Sequence, residues 1–140
     1  MQRPKGLTIG RLAKGAGVGV QTIRFYERKG LLVQPPRHGP EYRQYTADHV
    51  TRIRFIQKAQ GLGFSLKEIK GLMELGSTRR ATCADVMKKT DRKLQEVRSK
   101  IRDLQRVQRA LQQLSRACGL SKRAMAECRV LECFERGGTC

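Results

Sequence analysis

Apolar positions along this chain recur at helical spacings, and glycine- and proline-rich breaks separate the groups. Thr8 is placed to cap a short helix with Ile9, Leu12 and Ala13 on one face, and Gly15–Gly19 interrupts it. A second helix is expected from Val20 to Lys29, stopped by Gly30 where a helix C-terminus favours glycine. Leu31-Leu32-Val33 is then an apolar run, Pro35 to Pro40 carries turn chemistry, and Tyr42-Arg43-Gln44-Tyr45 alternates aromatic with polar. That order predicts a two-stranded wing. Thr46 can cap a third helix over Asp48 to Leu62, with Val50, Ile53, Phe55, Ile56 and Ala59 as its apolar side. Ser65 and Glu68 form a capping box for a fourth, Leu66 to Leu75, which Gly76 should close.

The pattern then changes scale. From Cys83 to about Ala117 there is no Gly or Pro, and Leu94, Val97, Ile101, Leu104 and Leu111 follow one another at coiled-coil intervals, with Val86 and Leu114 extending the stripe. A single helix of this length would leave its stripe in water, so a second copy of the chain is the expected partner; folding back onto the N-terminal part is the alternative. A cysteine stands at each end of the helix. At about 1.5 Å rise per residue, Cys83 and Cys118 lie roughly 50 Å apart, so they share a ligand only if another chain supplies one of them. Beyond Cys118 a loop, a short helix or turn through Cys128, Leu131 and Phe134, and a loose tail are expected.

Composition narrows the reading. Apolar residues make up 39% of the chain, but aromatics only 5%, with no Trp, which favours a small core plus an elongated element. The net charge of +18 points to a polyanionic partner, nucleic acid first. Charge does not say where: fourteen Lys/Arg against five Asp/Glu in residues 1–75, and sixteen against seven afterwards, leave +9 in each part. Two short helices joined by a Gly-containing turn, followed by a wing, do say where. On this helix-turn-helix reading Gln21 and Thr22 are the base readers. Arg24 and Tyr26 on the second helix, and Arg37, Tyr42 and Arg43 on the wing, are the further DNA contacts. No paired carboxylates, phosphate-cradling loop or nucleophile–base spacing suggest an enzyme. With no apolar h-region at the start and no apolar run long enough to span a bilayer, a cytoplasmic protein without membrane contact is expected.

Five cysteines without framework spacing suit reduced thiols available to a metal rather than a disulfide scaffold. Thiolates select soft or borderline ions, namely Hg(II), Cd(II), Pb(II), Cu(I) or Zn(II). Cys133, beside Leu131 and Phe134, reads equally well as a small core hydrophobe. His38 and His49 fall in the DNA-binding part and are not expected to be ligands.

Leu7-Thr8-Ile9-Gly10, the run Thr22 to Leu32, Tyr42-Arg43-Gln44-Tyr45 and Gly61 to Ile69 together resemble the MerR family of metal-responsive transcription regulators, closely over 7–75 and more loosely through the cysteines. The resemblance implies a mainly α fold. A winged helix-turn-helix domain (7–75) and a linker (76–82) lead to an antiparallel coiled-coil dimerisation helix (83–117). A metal-binding loop with a short helix (118–134) and a flexible tail (135–140) follow. It further implies Cys83, Cys118 and Cys128 as ligands, Cys83 of one subunit meeting the other two from its partner in a homodimer. The implied activity is binding of a two-fold promoter site and its distortion when metal arrives, so that RNA polymerase can start. Hg(II) is the favoured effector. The ten-residue step from Cys118 to Cys128 is nearer the zinc-sensing pattern, so Zn(II), Cd(II) and Pb(II) stand as alternatives; a tetrahedral Zn(II) would need Cys133 or Cys140 as well. A thiol-based metal-buffering protein is the reading from another class.

Overall fold

The computed structural model describes residues 6–38, 42–118 and 128–136. Its elements are α1 (Ile9–Ala16), α2 (Val20–Arg28), β1 (Arg37–His38), β2 (Tyr42–Arg43), α3 (Ala47–Gly61), α4 (Leu66–Ser77), α5 (Cys83–Cys118) and α6 (Arg129–Glu135). The chain divides into two compact units, Met1–Thr90 and Asp91–Cys140.

In the first unit local chemistry starts and stops the helices. The Thr8 hydroxyl accepts from the Arg11 amide at 3.3 Å and caps α1. That helix runs on through Gly15 and Ala16 and ends at Gly17, whose φ of 69° is left-handed backbone that an L side chain would strain. Gly30, at φ 72°, turns the chain after α2 in the same way. Ser65 and Glu68 form the expected reciprocal box, the Ser65 amide donating to Glu68 Oε2 at 2.7 Å. Gly76 does not close α4; the helix continues to Ser77, because an interior glycine only weakens a helix, by about 1 kcal/mol.

α5 has its own start signal, not anticipated from the sequence. The Thr82 amide donates to Asp85 Oδ2 at 2.8 Å and its hydroxyl to the same oxygen at 3.0 Å. Those bonds, the amide's first, lower the Asp85 carboxyl from its ordinary value. The cap is therefore complete above the ordinary carboxylate pKa and is lost only as acid takes the pH down through the lowered value.

The core of this unit joins Leu12, Ala13 and Ala16 of α1, Ile23 and Tyr26 of α2, Leu31, Leu32, Tyr45, then Ile53, Ile56 and Ala59 of α3 and Ile69 of α4. Two expectations need correcting. Leu31-Leu32-Val33 is not a strand: Leu31 and Leu32 turn into the core while Val33 stays exposed, and the ribbon uses Arg37–His38 as its first strand. Phe55 is not on the apolar side of α3; it is 43% exposed.

In the second unit, the rest of α5 carries Leu94, Val97, Ile101, Leu104, Val107 and Leu111 as exposed apolar residues. Lys93 is largely covered and pairs with Glu96 at 2.6 Å. In α6, Leu131 and Phe134 are exposed too. No helix among the described residues is long and apolar enough to cross a membrane.

Candidate nucleic-acid interface and thiol positions

α2 presents one face to the core and another to solvent. Ile23 and Tyr26, three residues apart, are buried, whereas Gln21, Arg24 and Arg28 repeat at i, i+3 and i+7 on the exposed face. Thr22 is half-buried beside them. Arg28 was not among the expected contacts, yet the same spacing that groups Gln21 with Arg24 includes it. Tyr26 was expected to touch DNA and does not face that way. It is 4% exposed, and its hydroxyl donates to Gln60 Oε1 of α3 at 2.8 Å. Burial pushes its phenol above the ordinary value, which keeps it a neutral donor. Tyr26 therefore positions the recognition helix against α3. Tyr26→Phe should cost about 0.5–1.5 kcal/mol in urea unfolding and leave the salt dependence of DNA binding unchanged. A smaller salt slope would restore it as a phosphate contact.

The wing is an antiparallel ribbon in the register Arg37 opposite Arg43 and His38 opposite Tyr42. Arg37 is exposed. The backbone of Tyr42 and Arg43 forms β2, but their side chains, with residues 39–41, lie outside the described residues.

His49 holds the wing's roots. Its Nδ1 accepts from the Thr46 amide at 3.1 Å, so the ring proton sits on Nε2, which donates to the Val33 carbonyl at 3.2 Å. One imidazole thus bridges the chain before β1 to the chain after β2. Tyr45 stacks edge-on against it, with ring centroids 5.2 Å apart. The Tyr45 hydroxyl donates to Glu27 Oε1 of α2 at 2.7 Å, and its backbone pairs with Leu7. Recognition helix and wing are linked side chain to side chain. The sequence puts His49 in the DNA-binding part without assigning it a role; the structure gives it this half-buried, hydrogen-bonded place.

The cysteines are placed as follows. Cys83 opens α5 and its thiol is exposed, and Cys128 sits half-buried at the N-cap of α6. Cys118 is the last residue of α5 and Cys133 lies in α6; their side chains, and all of Cys140, are outside the described residues. Among the described residues no three His, Cys, Asp or Glu side chains converge.

Comparison with known proteins decides the family. The model of the MerR HTH family regulatory proteins matches residues 7–75, and that of the MerR DNA-binding family matches 50–114. The mercuric resistance operon regulatory protein of Pseudomonas fluorescens is 41% identical over 135 residues, covering 96% of this chain and 92% of that protein. The chain belongs to the MerR family. Two solved MerR-type regulators share its fold over nearly their whole length. A transcription regulator from Ralstonia metallidurans in complex with lead(II) matches at a TM-score of 0.82 and 34% identity, covering 96% of this chain and 99% of that one. The MerR of Bacillus megaterium in complex with mercury(II) matches at 0.73 and 36%, covering 92% and 99%. As a MerR regulator the chain is a DNA-binding transcription regulator and not an enzyme, and this displaces the metal-buffering alternative.

Proposed function

We propose that this MerR-family chain is a soft-metal-responsive activator that binds a two-fold promoter site as a homodimer, with Hg(II) as its effector. The observation that supports this most is Cys83: an exposed thiol on the first residue of a 36-residue helix whose apolar stripe is exposed in the single chain. A second copy packed along that stripe in the antiparallel sense would bring Cys83 to its partner's Cys118 and Cys128. Three thiolates form a soft donor set, which suits Hg(II). The mercury regulators among its relatives support that ion, while the lead(II)-bound structure keeps Pb(II) in contention.

The DNA-binding end is proposed to use Gln21, Thr22, Arg24 and Arg28 on α2 and Arg37, Tyr42 and Arg43 on the wing. Two arginines directly opposite in a ribbon repel each other unless an anion lies between them, and a phosphate is such an anion. Tying Cys83 to the partner's tail would favour one pose of the paired DNA-binding domains. Only a difference in affinity between poses can shift their populations. Distorted promoter DNA, opened to RNA polymerase, would be the readout.

Transcription in vitro from a promoter bearing the two-fold site, with Hg(II), Zn(II), Cd(II) and Pb(II) tested against reduced protein, examines the whole reading. Hg(II) should switch transcription on at the lowest free concentration without releasing the protein from DNA. If Zn(II) acts at a lower concentration, the ion is wrong; if no metal changes the output, the metal response is wrong. Separately, Arg37→Ala should weaken binding evenly across DNA sequences and lower the slope of log K against log salt by about 0.9.

A further inference from the structure

The recognition helix and wing give a role to part of the positive charge of the first part of the chain, through Arg24, Arg28, Arg37 and Arg43. The equal excess of +9 after residue 75 has no role in that reading. Much of it lies in an ordered place. Arg102, Arg106, Arg109 and Arg116 are all exposed on α5 and, with Gln113 completing the series, follow one another at steps of four, three, four and three. At about 100° per residue this is one continuous face, turned roughly 160–180° away from Leu104 and Leu111. A partner helix on the apolar stripe would leave it uncovered. Exposed Arg98 and, further back, Lys88 continue the same face towards the start of α5, whereas Lys89, Lys93 and Lys100 fall elsewhere on the helix, and Lys93 is already paired with Glu96. From Glu96 to the end of α5 the one further acidic residue is Asp103, which pairs with Arg106. Among the described residues Arg102, Arg109 and Arg116 have no ion-pair partner.

We propose that this arginine stripe is a second DNA-contacting surface, which takes the phosphate backbone of duplex DNA without regard to sequence. The four guanidinium groups span about 21 Å of helix axis at 1.5 Å per residue. Over that length of duplex axis one DNA strand carries about six phosphates at about 3.4 Å each, and a straight helix meets the few of them that face it. From Arg98 onward the cations on this face are all arginine, which fits the partner, since a planar guanidinium can hold a phosphate through two hydrogen bonds where lysine offers a point charge. Sequence is not read, because no base edge is reached by a straight helix lying along a backbone. The stripe would lengthen the residence of the regulator on DNA outside its promoter site. This inference stands apart from the metal response.

The test uses the full chain and a duplex of scrambled sequence, with affinity followed by fluorescence anisotropy across a salt series. Three proteins are compared: the natural chain, R102Q/R106Q/R109Q/R116Q, and R102K/R106K/R109K/R116K, each checked for unchanged helix content and self-association. The glutamine variant should bind the scrambled duplex at least about tenfold more weakly at low salt, and its slope should fall by about 0.9 for each phosphate it no longer neutralises. It should still prefer promoter over scrambled DNA. The lysine variant should keep the slope. In addition, p-benzoylphenylalanine in place of Arg109 should photocrosslink to the scrambled duplex. An unchanged slope in the glutamine variant overturns the proposal, as does an equal loss in the lysine variant or no crosslink at position 109. An acidic protein surface bound by the stripe would give the first of these results. Loss of promoter preference through Arg24→Ala, by contrast, would bear on the recognition helix alone.

Discussion

Cys83→Ser abolishes metal-induced transcription and leaves promoter binding within about twofold of the natural chain: this is the largest effect expected of any single change. The reasons lie in where the thiol stands. It is exposed at the first residue of α5, away from α2 and the wing in sequence, and contributes nothing to the core. Serine keeps the size and the helix start, whose capping atoms belong to Thr82 and Asp85. A direct ligand should matter more than an outer partner, whose loss costs roughly 10–100-fold in metal affinity, so the fall should exceed that range. Mixing Cys83→Ser with Cys118→Ser subunits sharpens the result. In the heterodimer one site lacks two ligands and the other has all three, so one of its two tight sites should return. Full induction in the single variant, or no recovery on mixing, would refute a site shared between subunits.

The second large effect is on stability. Ile53 of α3 is fully buried in the cluster that joins α1, α2 and α4. Ile53→Ala should cost about 2–5 kcal/mol, the transfer of three methyl or methylene groups plus an incompletely collapsed cavity. In a unit of this size that lowers the melting temperature by on the order of ten degrees or more. Phe55, two residues on, is 43% exposed, so Phe55→Ala should cost under about 1.5 kcal/mol despite removing more atoms. Urea unfolding of both variants separates the two positions. Equal losses would mean that the packing of α3 has been misassigned.

The contrast between Ile53 and Phe55 also shows which parts of the molecule were legible in the sequence. Helix starts at Thr8 and Ser65 could be read because a cap is decided by atoms three residues apart. α5 could be read almost to the residue, since its heptad stripe and lack of Gly or Pro leave no competing structure. What failed depended on tertiary context. The Tyr26 side chain looked like a phosphate donor in a basic helix, although its spacing from Ile23 already placed it on the buried face; its partner Gln60 is thirty-four residues away. Leu31 and Leu32 had the composition of a strand, but the turn after Gly30 directs them inward. His49 went unread because its cap of α3 uses an imidazole nitrogen where glutamate or glutamine is the usual signal. Of the site itself, the exposed face of α2 and the position of Cys83 were legible, and the coupling of wing to recognition helix through Tyr45 and Glu27 was not.

That coupling has a consequence for how such a regulator can diversify. His49 fastens the chain just before β1 to the chain just after β2, at Val33 and Thr46, and Tyr45 fastens the same base to α2. The wing beyond those fastenings is a cassette on a fixed mount. Its tip can be lengthened, shortened or exchanged for one from another regulator without asking the recognition helix to move. If the wing grips DNA and the recognition helix reads it, as proposed, promoter grip and promoter choice would be separately heritable, and a graft bounded by Val33 and Thr46 would be the natural unit for transplanting one without the other.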